Sequence, residues 1–147
     1  MKRIRTIAFL LLLAALLSAC SLTTYRMDEI LPAPIDAATL LPIIESVSVV
    51  RPADGATALV AGTAVETFML SFDGLVCTRK AAAEYPLLYT VHFQLADGEQ
   101  PVLQIKTVES TGEIFFGFGE YDYYLVNTKW DVYAIESLLS GAQDGEK

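Results

Sequence analysis

The chain is poor in the residues that most often build catalytic and metal centres. Among its 147 residues it has one histidine, His92, and two cysteines, Cys20 and Cys77. Structural zinc takes four Cys, His or carboxylate ligands, and catalytic zinc takes three with a water. We therefore expect no metal site and no cofactor. A Ser-His-Asp triad would need the same histidine, and no Gly-x-Ser-x-Gly motif is present. The sequence thus predicts no catalytic residue.

Positive charge is scarce once the chain is divided at Cys20. All 18 acidic residues lie after Cys20, whereas only seven of the ten Lys and Arg residues do, so this part carries a net charge of −11. A nucleic-acid-binding protein usually presents a basic patch or stripe to the phosphate backbone. We therefore expect no nucleic-acid partner.

No apolar run is long enough to span a bilayer as a helix, which needs about 20 residues. The longest run, Ile7 to Leu17, has 11 residues and follows the basic residues Lys2, Arg3 and Arg5. A basic segment followed by a short apolar segment is typical of a secretory signal peptide. Residues 1–19 are therefore predicted to be a signal peptide.

The end of this segment resembles the lipobox of bacterial lipoproteins. Leu17-Ser18-Ala19-Cys20 places a branched apolar residue and two small residues before a cysteine. The resemblance implies cleavage before Cys20 and acylation of its thiol, which would attach the chain to a lipid bilayer. An ordinary signal peptide with an incidental cysteine is the alternative. Ser21, rather than Asp, follows Cys20, so a two-membrane cell would send the protein to its outer membrane. A one-membrane cell would hold it on the outer face of its plasma membrane.

The rest of the chain is predicted to contain one domain. Pro32, Pro34 and Pro42 interrupt regular structure between residues 20 and 42, which we interpret as the lipidated cysteine and a tether. Residues 43–141 form the predicted domain, and residues 142–147 a disordered tail.

Alternating residues predict an antiparallel sheet within this domain. Leu88 to Ala96 is the clearest strand, with Tyr89, Val91 and Phe93 on one face. Short strands joined by tight turns pair antiparallel, so four strands between residues 88 and 127 should form a meander. Thr63 with Glu66 fits a capping box for one helix, and a second helix should end at Gly141. The predicted fold class is α+β, a two-layer sandwich in which two helices cover one face of the sheet.

The remaining polar candidates have plain structural interpretations. Cys77 is predicted to be buried, although Arg79 and Lys80 next to it would favour a thiolate. A Cys77–His92 nucleophilic pair is conceivable, but His92 falls on the polar face of its strand. Gly117-Phe118-Gly119 leads into a strand rather than a helix, so its glycines should relieve crowding or shape a turn.

An aromatic cluster between residues 115 and 133 is the one sequence feature that favours a functional surface. Strand alternation sends about half of its members away from the core, and Phe115, Tyr121 and Tyr123 are the candidates for an exposed face. Such a face would bind a protein or glycan partner. Ordinary cross-strand pairing that stabilises the sheet is the alternative. The acidic residues Glu120 and Asp122 beside Tyr121 are interpreted as a solvated turn.

The whole plan resembles the small uncharacterised lipoproteins common in Gram-positive bacteria, which join a lipobox and a short tether to one domain. That resemblance carries over no catalytic residue. It implies a non-enzymatic binding or structural module of the cell envelope, held outside the cytoplasm by acylated Cys20. A small envelope hydrolase, or an inhibitor of envelope or foreign enzymes, is the alternative.

Overall fold

The computed structural model describes residues 23–32, 43–126 and 130–144. The predicted signal peptide and Cys20 lie outside these ranges, as do most of the predicted tether and residues 145–147.

The described residues contain one open antiparallel sheet of eight strands. The strands follow the spatial order β1-β4-β8-β7-β6-β5-β2-β3. Their bounds are β1 Thr24–Arg26, β2 Ile44–Arg51, β3 Ala56–Ala61, β4 Val76–Ala81, β5 Leu87–Leu95, β6 Val102–Val108, β7 Glu113–Phe118 and β8 Tyr121–Leu125. The predicted four-strand meander is confirmed, since β5 to β8 are neighbours in chain order.

In the described ranges three helices accompany the sheet: α1 Met27–Ile30, α2 Thr63–Leu70 and α3 Tyr133–Asp144. α2 contacts β2 and β3, and α3 contacts β3. The chain is therefore a sheet-dominated α+β protein, as predicted.

One continuous hydrophobic core joins the sheet to the helices. The strand alternation predicted for β5 is confirmed, because Tyr89, Val91 and Phe93 are buried whereas His92 is exposed. We call the sheet face that carries these buried residues the core face, and the opposite face, which carries His92, the outer face. The largest core side chains with almost no exposure are Met27, Ile44, Met69, Phe72, Phe93, Leu103, Ile105, Phe116, Ile135 and Leu139.

Part of the predicted tether belongs to the folded body instead. β1 pairs antiparallel with β4, with Thr24 opposite Thr78 and Arg26 opposite Val76. In α1, Met27 is fully buried and Ile30 is 9% exposed, and both join the core. The sequence did not predict that β1 and α1 join the folded body, because a three-residue strand and a one-turn helix show too little periodicity to detect.

Two predicted helix boundaries are wrong. The residue that precedes α2 is Gly62, with φ +61°, and no side chain caps that end, so the predicted capping box of Thr63 and Glu66 does not form. α3 continues through Gly141 to Asp144, although glycine there was expected to end it. Gly141 meets no atom within 4 Å of an added Cβ, so nothing at this position requires a stop.

The connection between β4 and β5 contains no helix or strand. β4 and β5 are separated by β8, β7 and β6, so residues 82–86, here the crossover segment, must pass three strands. The Ala82 N–H donates to the Glu120 carbonyl at 3.2 Å, and the Thr107 N–H donates to the Pro86 carbonyl at 3.1 Å. These bonds fasten the two ends of the crossover segment to the sheet.

Candidate functional site

A buried ion pair lies on the outer face of the sheet beneath the crossover segment. Lys106 Nζ lies 2.9 Å from Asp122 Oδ1, and the two side chains are 9% and 0% exposed. The backbone of Ala83 adds two hydrogen bonds. Its N–H donates to Asp122 Oδ2 at 2.9 Å, and its carbonyl accepts from Lys106 Nζ at 3.2 Å. A buried charge is tolerated only when it is paired and hydrogen-bonded, and this pair meets both conditions. The predicted solvated turn is therefore wrong for Asp122.

Gly117 makes room for this ion pair. It lies opposite Gln104 on one side and Asp122 on the other. A Cβ at this position would come within 3.0 Å of Lys106 Cε and 3.1 Å of Asp122 Oδ1. The interpretation that the glycines relieve crowding or shape a turn is confirmed, since Gly119 adopts a φ of +60° in the turn before β8.

An aromatic stack adjoins the ion pair on the same face. The Phe115 ring stacks on Tyr124 with centroids 4.5 Å apart, and Tyr85 of the crossover segment packs edge-on against Phe115 at 4.9 Å. Burial and a hydrogen bond with Tyr85 raise the pKa of Tyr124 to about 12. The crossover segment thus covers both an ionic and an aromatic cluster.

The predicted exposed face of Phe115, Tyr121 and Tyr123 does not exist as one surface. Phe115 is on the outer face but is fully buried, because Tyr85 and the crossover segment cover it. Tyr123 is on the core face and only 8% exposed. Tyr121 alone is accessible, at 37%.

A second ionic cluster joins β2 to α3 at the margin of the core face. Arg51 lies 2.7 Å from Glu136 and 2.8 Å from Asp54. Tyr89 donates its hydroxyl to the other oxygen of Glu136. The Tyr89 hydrogen bond, together with Arg51, lowers the pKa of Glu136. Burial and the bond to Glu136 raise the pKa of Tyr89 to about 12. These contacts connect the C-terminal helix to the sheet.

The structure separates Cys77 from His92. Cys77 is a free, fully buried thiol of the core, and burial raises its pKa to about 11. His92 is exposed on β5, four strands away from β4, or about 19 Å at the usual strand spacing. A nucleophile and its base must lie within hydrogen-bond reach. The Cys77–His92 pair is therefore excluded.

Two shallow depressions flank Gln104 on the outer face. One, of about 250 Å³, lies toward Tyr85, Leu87 and Lys106. The other, of about 450 Å³, lies toward Pro101, Phe118 and Gly119. Tyr85 and Leu87 are 38% and 37% exposed. We call the surface formed by Tyr85, Leu87, Val102 and Gln104 the Gln104 surface. It combines accessible apolar groups with one amide that can both donate and accept hydrogen bonds.

Sequence reasoning missed the ion pair and the Gln104 surface. Lys106 and Asp122 both point to the outer face of the sheet. A correct register of β6, β7 and β8 would therefore have predicted that they lie close together. Nothing in the sequence indicated that the crossover segment would cover them.

Among the described residues, no three His, Cys, Asp or Glu side chains come together as a potential metal site. No helix of the described ranges is long and apolar enough to cross a membrane.

Comparisons with protein-family models, with curated proteins and with solved structures find no match to this chain.

Proposed function

We propose that this chain is a lipid-anchored extracytoplasmic lipoprotein that serves as a non-enzymatic binding or structural module of the cell envelope. The observation that carries the proposal is the Leu17-Ser18-Ala19-Cys20 segment, which follows an apolar run of 11 residues and a basic amino terminus. Acylation of Cys20 with two or more chains gives stable anchoring, because each buried methylene contributes about 0.8 kcal/mol.

The geometry favours a binding or structural module over the hydrolase alternative. The one nucleophile–base pair that the sequence offered is split between the core and the outer face. The raised pKa of Cys77, about 11, keeps its thiol protonated near neutral pH. The buried ionic contact between Lys106 and Asp122 is held by the pair itself and by the Ala83 backbone. It therefore supports a rigid surface better than proton transfer.

The finer architecture is part of the same proposal. We propose that α2 and α3 form a second layer over the core face, which leaves the outer face as the functional one. Phe68 of α2 and both Ile135 and Leu139 of α3 are buried in the core cluster, which supports this arrangement. A Leu139→Ala variant should lose about 2–5 kcal/mol of stability in urea unfolding. A loss below about 1 kcal/mol would contradict the proposed second layer.

The Gln104 surface replaces the predicted aromatic face as the proposed contact for a protein or glycan partner. Its apolar groups and single amide suit an uncharged ligand better than a phosphate, because Lys106 beside it is already paired with Asp122. A photoreactive amino acid at Gln104 on intact cells should cross-link a partner, whereas the same group at exposed Leu59 on β3 should not. Equal cross-linking at both positions would contradict the assignment.

Localisation provides the test of the anchor. The full chain should incorporate labelled palmitate and sediment with membranes, and Cys20→Ser should abolish both. Cys77→Ser is the matched control, since it removes the other cysteine and should leave lipid incorporation unchanged. A Cys20→Ser chain that still sediments with membranes and carries label would overturn the proposal.

A further inference from the structure

The distance between the proposed anchor and the folded body is short. Thr24 opens β1, and Cys20 lies four residues before it in the sequence. A fully extended chain covers at most about 3.6 Å per residue, so the two are separated by no more than about 14 Å. Since β1 is part of the sheet, no long tether separates the body from an acylated Cys20.

The strand register shows which part of the body lies nearest to the anchor. β1 runs antiparallel to β4, with Arg26 opposite Val76 and Thr24 opposite Thr78. The chain therefore enters β1 at the end of β4 where Arg79 and Lys80 follow Thr78. The opposite edge of the sheet is β3, seven strand spacings from β1, or about 34 Å along the sheet.

This corner combines cations with tyrosines. The Arg79 guanidinium lies 4.8 Å from the centroid of the Tyr25 ring and 4.3 Å from that of Tyr121, and Lys80 Nζ lies 4.3 Å from the Tyr124 centroid. Arg79 and Lys80 are both exposed. We call Arg79, Lys80, Tyr25 and Tyr121 the anchor-side corner.

The two cations of this corner are available for an external anion. Within the described ranges, the other Lys and Arg side chains are Arg26, Arg51 and Lys106, and each has a carboxylate partner within 3.0 Å. Arg79 and Lys80 have none. The strongly acidic body thus places its two unpaired described cations next to the point where the proposed anchor leaves it.

We propose that the anchor-side corner docks on anionic phospholipid headgroups, so that the sheet stands on the membrane by its β1–β4 edge. This inference rests on the proposed acylation of Cys20. Basic side chains near an anionic leaflet are attracted to it, and tyrosines favour the membrane–water interface. Repulsion of the remaining acidic body is weakened because salt screens charges beyond about 8 Å. The docking orients the sheet and keeps β3 away from the lipid.

Fluorescence quenching in vesicles tests the docking. A fluorophore is attached to the acylated full chain at Ala82→Cys or at Leu59→Cys. The labelled protein is placed in vesicles of phosphatidylcholine and phosphatidylglycerol. These vesicles also contain lipid with a spin label on its headgroup, which quenches the fluorophore. Ala82 follows β4, whereas Leu59 is 73% exposed on the far edge. Quenching at position 82 should be several-fold stronger than at position 59.

Charge removal then separates docking from simple proximity. Arg79→Gln with Lys80→Gln should reduce quenching at position 82 by at least about twofold, as should vesicles of phosphatidylcholine alone, because the attraction arises from the two unpaired cations. Arg26→Gln is the matched control and should change it little, since Arg26 is paired with Asp28. Circular dichroism of each variant checks that the fold is retained.

The outcomes distinguish this inference from the proposed function. An acylated, membrane-bound chain whose two positions are quenched equally, or whose quenching ignores the charge removal, overturns the docking and leaves the lipoprotein proposal intact. A mature chain without lipid overturns both.

Discussion

The two ionic clusters of this protein have nearly the same contact distance and opposite surroundings. Lys106 and Asp122 lie 2.9 Å apart with side chains 9% and 0% exposed, whereas Arg51 and Glu136 lie 2.7 Å apart with side chains 26% and 37% exposed. Solvent competes for exposed ions and weakens their pairing. A buried ion that loses its partner instead keeps the full cost of desolvation. The comparison shows that burial, rather than distance, decides what each pair contributes.

Breaking the buried pair should give the largest effect. Asp122→Ala leaves Lys106 buried without a counter-ion, and we expect a loss of about 3–5 kcal/mol in the free energy of unfolding, measured by urea denaturation. The double variant Lys106→Met, Asp122→Leu is the control and should recover most of the loss, since it leaves no buried charge. A loss below about 1 kcal/mol for Asp122→Ala would contradict the burial argument.

Crowding the same pair should have the next largest effect. In Gly117→Ala the new methyl group meets Lys106 and Asp122, which their ion pair holds in place. We expect a loss of about 1–3 kcal/mol in the same assay. Gly141→Ala is the control of opposite sign, because the helical Gly141 has open space around it and alanine favours helix by about 1 kcal/mol. Equal changes in the free energy of unfolding for the two substitutions would show that Lys106 and Asp122 shift to make room for the methyl group without cost.

The buried thiol extends the comparison to alkaline pH. The pKa of Cys77 rises from 9.0 to about 11 on folding, so the unfolded chain loses this proton first. The contribution of the buried, protonated Cys77 thiol to the free energy of unfolding is complete below pH 9. It is lost as the pH rises to about 11, at about 1.4 kcal/mol per pH unit. Cys77→Ala should therefore show a shallower decline of stability across this range. An unchanged slope would contradict the burial of the thiol, as would rapid reaction of the native protein with a thiol reagent.

The exposed cluster should give the smallest effect. Glu136→Gln should lower the urea midpoint slightly, and added salt should remove most of the difference, because the contact with Arg51 is open to solvent. The pKa of Glu136 is lowered on folding, so its stabilisation is present above the usual range of a glutamate and is lost as the pH falls through the folded value. A salt-independent loss as large as that of Asp122→Ala would contradict the comparison.

The sequence predicted the sheet better than it predicted the candidate site. Alternation identified the strand faces of Val91 and His92, because a period of two is a direct consequence of the pleat. It also assigned Phe115 to the outer face correctly. Alternation describes the direction of a side chain, however, and not what covers it. The crossover segment 82–86 has no periodicity, so the burial of Phe115, Lys106 and Asp122 was not predictable.

The amino-terminal side of the domain was mispredicted because β1 is too short to show a pattern. A three-residue strand such as β1 becomes recognisable only through its pairing with β4, and that pairing is a long-range contact. The residues of β1 and α1 were therefore interpreted as part of the tether.

The intact mass of the mature protein purified from membranes shows whether Cys20 is acylated. We expect a chain that begins at Cys20 and is heavier than its amino-acid sequence by a diacylglyceryl group, with or without a further amide-linked acyl chain. A mature chain with the bare mass of its sequence, or one that retains residues 1–19, would contradict this expectation.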